Sequence, residues 1–402
     1  MAAGEAGPLL QWAVQHQVQV GSFFDAPDSV PVHSAHIMAD PESLGESGAA
    51  FLERIAGQGR VRIPTITDPR GIDLGKADQL GHTATMQSLE RRLIAALERL
   101  GVLMTNTCIN YQTILPPTRG EHLAMGDTGV AIYCNSVFGA RTNFEGGPSA
   151  LAAGLTGRTP RYGMHLDSGR RGTLRVAVEA RPKDLAEWGA LGGLVGRLAR
   201  NYWAVPVLEG IDSVPGSDAL KHFGAAMASF GSVPLFHMPG VTPEYARAQD
   251  AFDGAMPEPM RIGAADLAGL FSSYGGDGEA LDVVVFSAPQ LSLFELAGVA
   301  GLLDGKRVHA QTALLVATSP ENKSAADRMG LTARIEAAGG TVLDGVCFYQ
   351  SYARELAEAN GWKRLMTNSA KLVNIIGGYG YLPTLGTAEA CVASAVAGRV
   401  MR

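Results

Sequence analysis

Four cysteines, Cys108, Cys134, Cys347 and Cys391, are the residues of this chain best suited to hold a soft metal. No two of them form a C-x-x-C pair, so spacing alone identifies neither a zinc site nor a ferredoxin-type site. Cys108 follows Thr105-Asn106-Thr107, Cys347 follows the run GTVLDGV, and Cys391 follows Gly386-Thr387-Ala388-Glu389. Each of these three therefore stands near a turn or a helix start. Cys134 lies inside GVAIYCNSV and reads as core. Remote cysteines are more often buried small hydrophobes than ligands, so a metal role for the other three needs separate support.

A second group occupies the glycine-rich stretch 139–173, with Arg141, Asn143, Glu145, Ser149, Arg158, Arg161, Arg170 and Arg171. An arginine fork on such a loop suits a carboxylate or a phosphate, while the competing reading is a solvated basic loop. No P-loop and no strand-linked dinucleotide glycine pattern is present, so no nucleotide is implied. Histidines are scattered. His33-Ser34-Ala35-His36, at a strand end, and Glu121-His122, ahead of Asp127, are the two suggestive settings. Neither has the spacing of a zinc protease, and no G-x-S-x-G elbow exists.

The elements that must position these residues change character along the chain. Residues 1–20 read as an amphipathic helix that begins mid-pattern, which implies a start slightly inside the first helix. Helical apolar spacing recurs over 42–57 and 78–100, with Leu89, Leu93, Leu97 and Leu100 on one stripe. VRIPTITDPRGID predicts a short strand broken into a loop, and GVLMTNTCINY a buried strand running into a polar turn. From about residue 171 strands and helices alternate. Residues 238–262, rich in Pro, Gly and Ala, mark a lobe boundary. Four later strands end in SAPQ (287–290), SPEN (319–322), CFYQ (347–350) and NSAK (368–371). That alternation predicts a mostly parallel sheet with helices on both faces. Its polar residues fall at the carboxyl edge, where open α/β sheets bind ligands, although such residues also cap helices.

The chain has 402 residues, 46% of them hydrophobic and 18% charged, which excludes a wholly disordered protein. A formal charge of −6 argues against nucleic acid or an anionic membrane as the main partner. The longest apolar stretch, near 281–303, is broken by Asp282, Pro289 and Glu295, so no membrane span is predicted. The start lacks the charged and apolar regions of a signal peptide. A cytoplasmic protein with reduced thiols is expected.

Set side by side, these segments resemble the large subunit of the aconitase X family, a divergent branch of the iron–sulfur hydro-lyases. The resemblance is carried by VPVHSAHI, VRIPTITDPRGID, TNTC, GEHLAMGDTG and above all NSVFGARTNFEGGPSALAAGLTGRTPRYGMHLD, and continues through SAPQ, GVCFYQ, TNSAK and LGTAEACVASAVAGR. It implies an α/β, multi-lobe, aconitase-like architecture of mostly parallel sheets flanked by helices, lacking the swivelling small domain. The expected divisions are 1–170 with the substrate loop and first cluster cysteine, 171–262, and 263–402 with two cluster cysteines and the TNSAK loop.

The resemblance also implies an iron–sulfur cluster held by Cys108, Cys347 and Cys391, of [2Fe-2S], [3Fe-4S] or [4Fe-4S] type. Three thiolates leave one iron site open as a Lewis acid. The implied reaction is dehydration of a small hydroxy acid. TITDPRG, HIMAD and GYGYLP look closer to the bacterial relatives, which makes cis-3-hydroxy-L-proline, giving Δ1-pyrroline-2-carboxylate, the first expectation. Mevalonate 5-phosphate is the alternative, and the arginines at 158–171 leave it open. A cluster-bearing redox or regulatory protein without turnover is a further reading, and a metal-free scaffold another. The expected partner is a separate small subunit whose swivelling domain supplies a catalytic serine. Lys371 and Ser369 are the expected catalytic residues. Arg141, Asn143, Asn368, Ser34 and His36 are expected to bind the substrate and its carboxylate.

Overall fold

The structure is a computed structural model that describes residues 7–401. Five strands belong to the first part of the chain: β1 (Ser29–Pro31), β2 (Ala35–Ile37), β3 (Thr65–Thr67), β4 (Ala124–Met125) and β5 (Arg158–Pro160). β2 lies between β3 and β4 in a parallel three-stranded sheet, and β1 pairs antiparallel with β5. Helices Pro8–Phe23, Pro41–Ile55, Ala84–Arg99 and Pro148–Thr156 bury Leu9, Leu52, Leu93, Leu97 and Leu151 with Ile37 of β2. Asp40 starts the second of these by accepting the Ser43 N–H, with Pro41 preset for the first turn. The helical pattern over 78–100 is interrupted where Gly81 adopts φ +90° and Thr83 caps a new helix.

The expected buried strand at 101–111 does not form. Leu103 makes one isolated bridge to Ile66, and then Asn106 takes φ +50° and breaks the ladder before Cys108. The turn instead carries the Cys108 loop past the end of β3, with Thr107 N–H bonded to Thr67 O.

A second parallel sheet has β6 (Leu174–Val178) between β7 (Pro206–Glu209) and β8 (Met260–Ile262). Helices Leu185–Ala199 and Ser217–Gly231 pack together above it at glycine contacts. A Cβ on Gly192 would meet Phe223 O at 2.0 Å, so this helix crossing demands glycine. β8 shows that the end of the Pro/Gly/Ala-rich segment completes this sheet.

The third sheet is parallel throughout, in the order β11-β10-β9-β12-β13. Its strands are β9 (Val283–Leu291), β10 (Ala313–Thr318), β11 (Thr341–Asp344), β12 (Arg364–Thr367) and β13 (Leu382–Leu385). Two-residue alternation splits β9 between two cores. Val284 and Phe286 face a layer containing Leu296, Val299 and Met366, whereas Val283 and Val285 face one containing Phe348, Leu356 and Leu372. β9 extends through the Ser287–Gln290 segment that its sequence marked as a post-strand turn, with a register irregularity against β10. β13 carries Pro383, tolerated because the strand is at the sheet edge. Among the described residues, no helix is long and apolar enough to cross a membrane.

Candidate functional site

The carboxyl ends of strands from the first and third sheets meet at one buried cluster. Asp68 follows β3, Asp127 follows β4, Cys347 follows β11, and Lys371 lies in the first turn of the helix that follows β12. The two sheets are tied there by Arg70 N–H to Gly345 O, 2.9 Å. Gly126 lets the chain pass beside Asp127. A Cβ there would meet His36 O at 2.4 Å and Gly146 O at 2.6 Å.

Cys108 and Cys347 converge from these two lobes, near enough that Cys347 is the first influence on the Cys108 thiol. Both are buried. Ser287 supports Cys347 from β9: its hydroxyl donates toward Sγ at 3.8 Å and accepts the Phe348 N–H at 3.0 Å. Lys371 Nζ stands 3.5 Å from Asp127 Oδ2 and 5.4 Å from the centre of the Tyr349 ring. Asp127 Oδ1 accepts the Val130 N–H, so the carboxylate also starts the helix Thr128–Ser136. Asp68 Oδ2 accepts from Gln350 Nε2 at 3.0 Å, while Oδ1 lies 3.5 Å from His36 Nε2 and has no hydrogen bond. His36 Nε2 in turn lies 2.9 Å from Thr107 O.

The electrostatics follow from burying like charges together. The hydrogen bond with Cys347, then burial, push the Cys108 thiol well above its ordinary value. Burial and the neighbouring Asp127 and Cys108 push Asp68 up as well. Burial alone would lower the Lys371 ammonium, but its acidic neighbours, Asp127 foremost, outweigh it and hold the lysine charged. Burial lowers His36, which leaves a neutral imidazole.

One buried thiol that resists ionisation, Cys108, with a second buried thiol, Cys347, and a buried Asp68 oxygen that has no hydrogen bond, make a donor set that a cation would relieve. Soft sulfur ligands suit iron and iron–sulfur groups. Cys108 and Cys347 therefore fit the group implied by the sequence resemblance. Cys391 does not join them. It sits on the helix Ala388–Ala397 in the apolar layer with Leu296, Val299 and Met366, on the face of the third sheet opposite the Cys347 layer. Among the described residues, no group of three or more His, Cys, Asp or Glu is placed to hold a metal ion. Cys391 lies across the sheet from that pair because its helix docks on the other face.

His36 and Lys371 lie in this cluster. The other expected substrate contacts are placed elsewhere or are already engaged. Arg141 pairs with Asp167 and donates to His165 O. The Asn143 amide donates to Tyr162 O and accepts from Met164 N–H, so it holds its own loop together. Ser369 accepts the Leu372 N–H as a helix cap and donates to Ala288 O. Asn368 lines a different cavity of about 660 Å³ with Asp218 and Glu295. Ser34 is buried with no partner for its hydroxyl. Arg158 and Arg161 are tied to Ser29 and Asp28, and Arg170 to Glu244. Cys134 is core, as read.

Asp68, Asp127, Ser287 and Gln290 were missed as site residues. TITDPRG, GDTG and SAPQ contained them, and their common signal is a polar residue at the carboxyl end of a strand.

The chain matches three family models in succession: aconitase X first domain over residues 1–168, second domain over 172–272, and third domain over 281–397. The phosphomevalonate dehydratase large subunit of Methanothermobacter thermautotrophicus is 35% identical over 94% of this chain and 92% of that protein. The cis-3-hydroxy-L-proline dehydratase of Pseudomonas aeruginosa is 31% identical over 99% of this chain but only 69% of its own length. The crystal structure of holo-form Thermococcus kodakaraensis aconitase X superposes with a TM-score of 0.88 at 30% identity, covering 98% of this chain and 97% of that one. Fold and sequence agree over nearly the whole length, and the chain belongs to the aconitase X family.

Proposed function

We propose that this chain is the large subunit of an iron-dependent dehydratase acting on a β-hydroxy acid, with mevalonate 5-phosphate as the first substrate. The reaction class is that of the relatives, which are named as dehydratases and hence are hydro-lyases. The order of substrates reverses the expectation drawn from the sequence motifs. Identity is higher to the phosphomevalonate enzyme, and that relative is matched over nearly all of its own length. The arginine loop adds nothing to this choice, since Arg158, Arg161 and Arg170 are engaged within the fold.

Both substrates carry a hydroxyl on the carbon β to a carboxylate. Loss of water needs removal of an α proton and departure of a poor leaving group. Iron bound by Cys108 and Cys347 would supply Lewis acidity toward the departing hydroxyl. The remaining work falls to this chain's own side chains. Lys371, held charged within reach of Asp127, neutralises negative charge that develops on the substrate carboxylate as the α proton leaves. Asp68, which burial and its neighbours keep protonated, stands ready to donate that proton to the departing oxygen. Gln350 holds Asp68 in place by donating to its other oxygen. The proton acceptor is assigned to a small subunit, in keeping with the relatives' designation as large subunits.

The observation that carries this reading is the Cys108–Cys347 pair beside Lys371, Asp127 and Asp68. Its test is an assay of the chain co-expressed with its small subunit on mevalonate 5-phosphate and on cis-3-hydroxy-L-proline. Dehydration of the phosphate ester is expected. Turnover of the proline alone would reverse the substrate order, and turnover of neither would remove the dehydratase reading.

A further inference from the structure

Gln290, near the end of β9, touches both cysteine loops with one side chain. Its Oε1 accepts the Cys108 N–H at 3.2 Å. Its Nε2 donates toward Asn106 O at 3.1 Å, Val346 O at 3.2 Å and Thr318 O at 3.3 Å. Asn106 lies two residues before Cys108, and Val346 immediately precedes Cys347. The Gln290 backbone N–H also points at Cys108 Sγ, 3.5 Å away. Two amide hydrogens shared among three carbonyls leave no freedom to turn, and the residue is fully buried.

A second layer anchors Gln290 itself. Lys221, on the helix Ser217–Gly231, donates to Gln290 O at 3.1 Å. Lys221 is buried and paired with Glu295, and stands 3.3 Å from Asp218. Glu295 also receives His222 Nε2 at 2.7 Å and caps its own helix at Ser292. A buried ion pair of this kind is a costly way to gain stability, and fixing one arrangement is its better-attested use.

We propose that Gln290, anchored by Lys221 and Glu295, is the positioning residue that sets the separation of the Cys108 and Cys347 thiols. The two cysteines come from different lobes and share no local structure, so something must hold their loops in register. One amide bonded to both loops does so directly. Outer-shell hydrogen bonds of this type orient ligands and tune the group they hold. The proposal rests on reading Cys108 and Cys347 as the iron-holding pair, but not on which substrate is used.

The test titrates cobalt(II) into the metal-free full chain and follows thiolate-to-cobalt charge-transfer absorption. Gln290→Leu removes the clamp, and Gln290→Glu keeps the shape and the acceptor while losing both donors. Each is expected to weaken cobalt binding at least tenfold and to shift the charge-transfer bands. Lys221→Met, which loosens only the anchor, should give a smaller shift in the same direction. Asn135→Leu deletes another buried amide clamp, one that bonds Thr142 and Pro234 backbone rather than a cysteine loop. It should lower thermal stability but leave affinity and bands unchanged. Should Gln290→Leu fail to fold, Gln290→Glu and Lys221→Met carry the comparison. Wild-type affinity and bands in folded Gln290→Glu would overturn the proposal. If Cys108→Ser binds cobalt with the wild-type bands, the thiol pairing fails instead, and the role of Gln290 falls with it.

Discussion

At the scale of single residues, the thiols divide by neighbourhood rather than by exposure, because all four are buried. Cys108 and Cys347 come together from two lobes beside charged groups, whereas Cys134 and Cys391 belong to apolar core layers. Serine is a poor iron ligand, so Cys108→Ser and Cys347→Ser should each abolish iron-dependent visible absorption in the purified protein. Cys134→Ser and Cys391→Ser should retain that absorption. Each would bury a hydroxyl in an apolar layer, and thermal unfolding should show a loss on the order of 1–3 kcal/mol. Loss of absorption in folded Cys391→Ser would return that residue to the ligand set.

At the scale of elements, the loop before the helix Pro148–Thr156 carries a testable charge. Glu145 is buried, its carboxyl accepts the Thr159 hydroxyl of β5 at 2.9 Å, and burial pushes its pKa up to about 7 from 4.5. The folded chain therefore holds a proton that the unfolded chain releases between those values. Stability must fall as pH rises through that window. Glu145→Gln keeps an acceptor for Thr159 and cannot ionise. It should match the wild type near pH 4 and exceed it above pH 7, by up to about 3 kcal/mol for a full shift of that size. Parallel denaturation midpoints across pH for the two proteins would show that Glu145 is not the titrating group. Glu42 and Glu90 are also pushed up to about 7 by burial, so the Glu145→Gln protein should still lose some stability as pH rises.

At the scale of the whole molecule, strand ends from two separate sheets supply the cluster, and no single lobe contains it. Asp68 and Asp127 come from the first sheet, Cys347 and Lys371 from the third, and Gln290 ties the loops together. The described chain offers two thiols, two carboxylates and a lysine held charged, but its expected catalytic serine, Ser369, is occupied as a helix cap. Closure by another subunit commonly completes such a set. The purified 402-residue chain should accordingly turn over substrate at least a hundredfold more slowly than the pair with its small subunit. Equal rates with and without the partner would place the proton acceptor in this chain.

Much of this arrangement was legible before any coordinates. Strand–helix alternation after residue 171, the parallel sheets and the polar strand ends all follow from local periodicity, which the backbone obeys wherever the segment lies. The motif TNSAK pointed to Lys371, and VPVHSAHI to His36. Non-local facts were beyond reach. Asn106 in a left-handed turn replaced a predicted strand, because a broken ladder depends on the conformation of one residue rather than on the apolar pattern around it. The side of the sheet on which Cys391 lies depends on how its helix docks, and its sequence context is as suggestive as that of Cys347. Asp68 and Asp127 are ordinary post-strand and helix-capping carboxylates until two lobes bring them together. Local propensity determined the elements and the types of residue at their ends. Only packing of one lobe against another decided which of those residues meet, since contacts between distant segments are set by the fit of whole surfaces and leave no periodic trace.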